Sequence, residues 1–153
     1  MLAVAGPKTY DLLGNSRAHK KELKNLYDAE KSAAKFNPGI NPYFVAAGYF
    51  AGKEREGGAW DLKYQLKKKD GANYNTNYTV YVPSKEIYQA QDIGNYHYGY
   101  VGTVLFSENE LLRAGDLVQF LAAAKRGDFS QYADDPRDKT YVKKGYSAGK
   151  KGL

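Results

Sequence analysis

Not one of the 153 residues is cysteine, and that absence narrows what the chain can fold into more than any motif does. Disulfide staples, thiolate nucleophiles and cysteine-ligated zinc are all excluded, so the fold has to stand on packing alone. Hydrophobic residues make up 42% of the chain, enough for one core in a length that suits one domain. No run approaches the roughly 18 consecutive apolar residues of a membrane-spanning helix. Residues 1–7 are too short and uncharged a stretch for a signal peptide. If the domain leaves its cell, something else carries it.

Residues 1–15 lack clear periodicity and contain Gly6-Pro7 and Gly14-Asn15, which reads as a loose arm or linker before a folded unit over 16–153. Asn15 or Ser16 is placed to cap a helix in which Leu23, Leu26, Tyr27, Glu30, Ala33 and Ala34 recur at helical spacing, ending before Asn37-Pro38-Gly39. A second, shorter helix fits Pro42 to Ala51, with Gly52 beyond its end. Residues 59–83 read as a small β-hairpin or meander: Trp60 to Tyr64 extended, Asp70-Gly71 a turn, Tyr78 to Val82 a strand that Pro83 stops. Gly94 to Gly102 admits strand alternation or a helix with Asn95, Gly99, Gly102 and Phe106 on one face. Small residues at helical spacing allow another helix to come close, which favours the buried helix.

Ser107 and Glu110 form a capping box for a helix with Leu111, Gly115, Val118 and Leu121 or Ala122 inward, finished by Lys125, Arg126 and Gly127. A last helix opens at Asp135-Pro136 and turns Tyr141, Val142, Gly145 and Tyr146 to the core. The expected fold is therefore a mainly helical α+β single domain, with a small hairpin between the second helix and the glycine-rich block.

Lysine and arginine number 23 against 17 aspartates and glutamates, a net charge of +6. An excess of that sign favours RNA, DNA or an acidic protein as partner, although many soluble basic proteins share it. Lys67, Lys68 and Lys69, with Lys53 and Arg55 upstream and Arg137, Lys139, Lys143 and Lys144 downstream, suit a phosphate-tracking surface, and Trp60 and Tyr64 offer stacking faces. The plain alternative is solvated charge.

His97 sits in the glycine- and tyrosine-dense block between Asn95 and Gly99, with Asn95 and Tyr98 as candidate substrate contacts. An imidazole titrates near neutral pH and serves phosphodiester or glycoside cleavage as general acid or base, or it simply bonds within an aromatic cluster. His19, among lysines, reads as solvated. Asp61 and Lys63 alternate in the expected strand and would share a face, as a catalytic pair or as an ion pair beside a packed Trp60. Asp134, Asp135 and Asp138 suit magnesium in residue type, but capping of the last helix explains them at least as well. No metal ligand and no cofactor is assigned. Gly145-Tyr-Ser-Ala-Gly149 matches a serine-hydrolase pattern, yet neither Asp nor His follows Ser147, so the match reads as chance.

Four blocks in a fixed order carry a resemblance. They are Gly57 to Lys63, Gly94 to Gly102, Leu111 to Gly115 with Gln119, and Asp134 to Gly145. Over residues 40–148 the chain resembles the bacterial toxin 44 family, also described as polymorphic toxin type 44; the stretch 73–78 departs from the family pattern. The resemblance implies a C-terminal effector domain of a larger secreted interbacterial toxin, neutralised in the producing cell by a cognate immunity protein, here expected to be acidic. Many such domains are nucleases, and others cut peptidoglycan. The reading placed first is a hydrolase cleaving RNA without a metal in the target cytoplasm, with Asp61, Lys63 and His97 catalytic. A peptidoglycan glycan-strand hydrolase acting in the periplasm comes second, and a non-catalytic basic nucleic-acid-binding module third.

Overall fold

The computed structural model describes residues 6–114 and 136–153. The first helix, α1 (Leu12–Ala34), starts one turn earlier than the sequence suggested, because Asp11 and not Asn15 or Ser16 caps it. The Asp11 carboxylate accepts the Gly14 N–H at 2.9 Å. Leu12, Leu13 and Ser16 are buried, so the helix begins where its inward face begins. Residues 12–15 thus belong to α1 and not to a loose arm. The second helix, α2 (Pro42–Glu54), is capped by Asn41 and runs three residues past the expected end at Ala51. Phe50 and Glu54, one turn apart on its inward side, hold the last turn in place.

The largest departure is at Trp60 to Tyr64, expected to be extended. Asp61 instead caps α3 (Leu62–Asp70), its Oδ1 accepting the Tyr64 N–H at 3.3 Å. Leu62 and Leu66 are both buried, and that four-residue spacing outweighs a short polar alternation. Gly71 closes the helix at φ 70°, where its N–H bonds the Lys67 carbonyl.

The hairpin follows, later than expected but still before the glycine-rich block. Strand β2 (Asn77–Tyr81) pairs antiparallel with β3 (Lys85–Gln89), with a cis Val82–Pro83 bond in the connection. Lys8 and Thr9, read from the sequence as part of the arm, form β1 and pair parallel with β2 at Tyr78 and Thr79. The sheet order is β1-β2-β3.

The glycine-rich block is a helix, as the spacing indicated. This helix, α4 (Ala90–Gly102), opens with a capping box in which the Gln89 N–H bonds Asp92 Oδ2 at 2.8 Å. Ile93, Tyr96 and Tyr100 join a core shared with the sheet and α3. Val101 joins a second core with Leu23, Phe50, Trp60 and Leu111. A helix buried on several faces needs close neighbours, and glycine supplies the room. The last helix, α6 (Pro136–Lys151), lies across α4 so tightly that a Cβ on Gly145 would overlap the Tyr96 carbonyl, and one on Gly99 the Val142 carbonyl.

Between them, residues 108–114 are helical and form α5. Ser107 and Glu110 cap it reciprocally, Glu110 N–H to Ser107 Oγ at 3.2 Å and Ser107 N–H to Glu110 Oε1 at 3.4 Å. Leu111 is buried beneath Gly102, as expected. The expectations for Gly115, Val118, Leu121, Ala122, Lys125 to Gly127, Asp134 and Asp135 lie outside the described residues. Among the described residues no helix is long and apolar enough to cross a membrane. The molecule is a mainly helical α+β fold with a small three-stranded sheet.

Candidate active site

Three titratable side chains from three helices meet in a line beside Trp60. His97 of α4 is fully buried. Its Nδ1 lies 3.0 Å from Oε1 of Glu54, the last residue of α2. Its Nε2 lies 2.7 Å from Nδ1 of His19 on α1. The Glu54–His97 approach is a short polar contact that lies off the line of an ideal hydrogen bond. His19 is half-buried and stacks on the Trp60 indole, centroids 4.7 Å apart and planes 18° from parallel. Tyr49 meets the indole edge-on from α2.

The Gly57 to Asp61 loop makes this possible. Trp60 donates its backbone N–H to the Lys53 carbonyl at 2.8 Å, which folds the loop back over the end of α2. Gly57 has φ 75°, and a Cβ on Gly58 would overlap the Lys53 carbonyl, so the turn requires both glycines. Asp61 braces it, Oδ2 accepting the Gly57 N–H at 3.1 Å while Oδ1 caps α3.

Burial raises the Glu54 carboxyl above its usual range, and the His97 imidazole partly offsets that; Asp61 raises it further and Lys63 lowers it. His19 is pushed down to about 4, first by burial, then by His97 and Lys53, against the pull of Glu22. It is therefore neutral at pH 7. The partners assign the protons. With Glu54 ionised, His97 carries its proton on Nδ1 and accepts from His19 Nδ1–H, which leaves His19 Nε2 a lone pair. With Glu54 protonated the bonds reverse, and His19 Nε2 carries the proton. The second state holds one proton more than the first, taken up at the half-exposed ring and relayed along the line to the buried carboxyl.

Of the residues singled out from sequence, His97 and Trp60 are in this cluster. Trp60 is buried under His19 and offers no free face for a base. Asp61 and Lys63 do not share a strand face. They sit at the start of α3, Asp61 occupied by two backbone N–H groups and the Lys63 ammonium 5.6 Å from the Tyr74 ring. Tyr64 is exposed on α3, as are Lys67, Lys68 and Lys69 in its last turn, where they complement the negative helix end.

Asn95 and Tyr98 tie helices together: Asn95 donates to Asp138 Oδ1 and Tyr98 to the Leu111 carbonyl, both at 2.8 Å. Arg137 forks onto the buried Asp92 carboxylate at 2.8 and 2.7 Å, so the last block docks α6 on α4. Ser147 is exposed in α6, and its flanking glycines are contact points with α4.

Sequence reasoning missed Glu54 altogether and read His19 as solvated. The missed signal is one of spacing. His19 lies between Ser16 and Leu23 on the buried stripe of α1, and Glu54 follows Phe50 by one turn on α2.

A helical α+β domain with a carboxyl–imidazole–imidazole line under a tryptophan has the makings of a catalytic effector, and comparison places it among bacterial toxins. The chain belongs to the bacterial toxin 44 family, whose model matches residues 49–151, more than half of the chain. That span contains Glu54, Trp60, Asp61, Lys63 and His97 and begins after α1, which brings His19. No curated protein and no solved structure matches the chain.

Proposed function

We propose that this toxin domain is a ribonuclease that needs no metal, with His19 as the group that handles the proton. The observation that carries the reading is the line from buried Glu54 through His97 to half-exposed His19. Cleavage of RNA by its own 2′-hydroxyl needs a base to take that proton and an acid to return one to the departing 5′-oxygen. His19 Nε2 takes that proton while neutral, and the imidazolium so formed returns it to the 5′-oxygen as the bond from phosphorus to that oxygen breaks. His97 stabilises the imidazolium that forms, and Glu54 holds His97 in the required tautomer, the division of labour found in hydrolase triads. Lys53, whose charge acts on His19, meets the negative charge that develops on the phosphoryl oxygens. Asp61 shapes the loop and Lys63 eases ionisation of Glu54. In this reading a larger secreted polypeptide delivers the domain to the cytoplasm of a target bacterium. A cognate acidic immunity protein protects the producer, and the net charge of +6 supports both a polyanionic substrate and an acidic partner.

Purified domain should cut single-stranded RNA to 2′,3′-cyclic phosphate ends in the presence of EDTA. His19→Gln and Glu54→Gln should each lower kcat by about 10²-fold or more with the fold intact by circular dichroism. Cleavage of glycan strands and not RNA would move the assignment to a cell-wall hydrolase. RNA binding without cleavage would leave only a binding module.

A further inference from the structure

α1 carries a second chemical feature beside His19. Arg17, Lys20, Lys21 and Lys24 recur at i, i+3, i+4 and i+7 and so share a face of the helix. Together with Tyr100 and Gly152 they line a cavity of about 280 Å³. Among the described residues no side-chain carboxylate lines it. Two of the cations are held in place by the end of α6: Arg17 Nε donates to the Leu153 carbonyl at 2.9 Å, and the Lys20 ammonium to the Gly149 carbonyl at 2.6 Å. The Lys20 ammonium also stands 5.6 Å from the Tyr100 ring centroid. Burial, and then the charge of Lys150, hold it below its usual range. Among the described residues, Asp28 is the side-chain carboxylate that meets the four, on Lys24 at 2.8 Å, and Lys31 shares it.

The position matters as much as the charge. Lys20 is the residue after His19, and Tyr100 lies three residues after His97 on α4, so the cavity and the proton-handling line stand at one level of α1 but open on different sides of it, since successive helical residues point about 100° apart. A strand whose scissile phosphate sits at His19 and that runs on around α1 brings phosphates a few nucleotides away to this rim. Pre-positioned ammonium and guanidinium groups over an apolar floor of lysine stems match phosphodiesters in charge. Tyr100 itself is buried and offers no stacking face, so the floor selects backbone and not base.

We propose that the Arg17–Lys24 cavity is a phosphate-binding subsite of this domain, seating backbone phosphates of single-stranded RNA a few nucleotides from the scissile one. It deepens the ribonuclease reading and rests on it.

Binding tests it apart from cleavage, with a fluorescent 2′-O-methyl RNA of about twelve nucleotides, which lacks the attacking hydroxyl. Affinity is followed from about 50 to 200 mM salt. Lys20→Gln/Lys21→Gln/Lys24→Gln should reduce the slope of log K against log salt by about 2, the release expected for three phosphate contacts on a single strand. Lys21→Gln/Lys24→Gln, both exposed, should lose about two thirds of that and guards against a folding defect in the triple variant. A control triple, Lys8→Gln/Lys35→Gln/Lys85→Gln, removes the same charge from scattered exposed sites and should leave the slope nearly unchanged. Equal losses in both triples would mean bulk charge alone and overturn the subsite. Unchanged binding in the α1 variants, while the wild type still cuts RNA, would overturn the subsite and leave the ribonuclease standing. A wild-type domain that does not bind the oligonucleotide at any salt would overturn both.

Discussion

His19 shows how much a neighbour decides for a single side chain. On an exposed helix it would titrate near 6.5; stacked on Trp60, with His97 and Lys53 close by, it is pushed down to about 4. Between those two values the unfolded chain binds the proton and the folded one does not. Stability therefore rises with pH across that window and is lost as pH falls from about 6.5 towards about 4. For a ring this exposed the loss is about 1–2 kcal/mol, below the full linkage value because solvent screens the charge. The melting temperature of the wild type should thus fall further than that of His19→Gln between pH 7 and about pH 4.5. The acid limb of cleavage should lie near 4, not near 6.5, since only the neutral ring takes the proton. Parallel melting curves, or a limb at the ordinary histidine value, would remove His19 from the role given to it.

Elements were legible to different degrees. Capping signals and glycine spacing are read within four residues, and there the sequence was a good guide. The Ser107–Glu110 box, Pro42 at the start of α2 and the helical reading of Gly94 to Gly102 all stand. At Asp61 to Tyr64 the same local reasoning went astray. A three-residue alternation looks like a strand until Leu66 is counted with Leu62, and Asp61 then becomes a cap and not one half of a facing pair. The Gly145–Gly149 spacing, which imitates a hydrolase signature, is a helix-contact surface. Gly145→Ala should separate α4 from α6 and destabilise the fold by about 3 kcal/mol or more, since the new methyl meets backbone and no flexible side chain can yield. Ser147→Ala, on the exposed side, should stay within about 0.5 kcal/mol. Chemical denaturation of the two variants checks both; a tolerated Gly145→Ala would mean the helices pack more loosely than described.

For the whole molecule, charge and compartment are the observable consequences. A domain of net charge +6 with a polyanionic target should arrest growth when expressed in bacterial cytoplasm and do little when exported to the periplasm. Growth curves of the two expression strains decide it, and lysis confined to the periplasmic strain would transfer the toxin to the cell wall.

The amino-acid sequence by itself determined the helical content, the start of α2, the Ser107–Glu110 cap, the room for another helix against α4 and the family, because each depends on residues near one another along the chain or in a fixed order. Only the tertiary structure decided the site. His19 and His97 stand 78 residues apart, and Glu54 comes from a third helix. Whether such side chains meet depends on how α1, α2 and α4 stack around Trp60, and packing of distant segments leaves no local spacing to read.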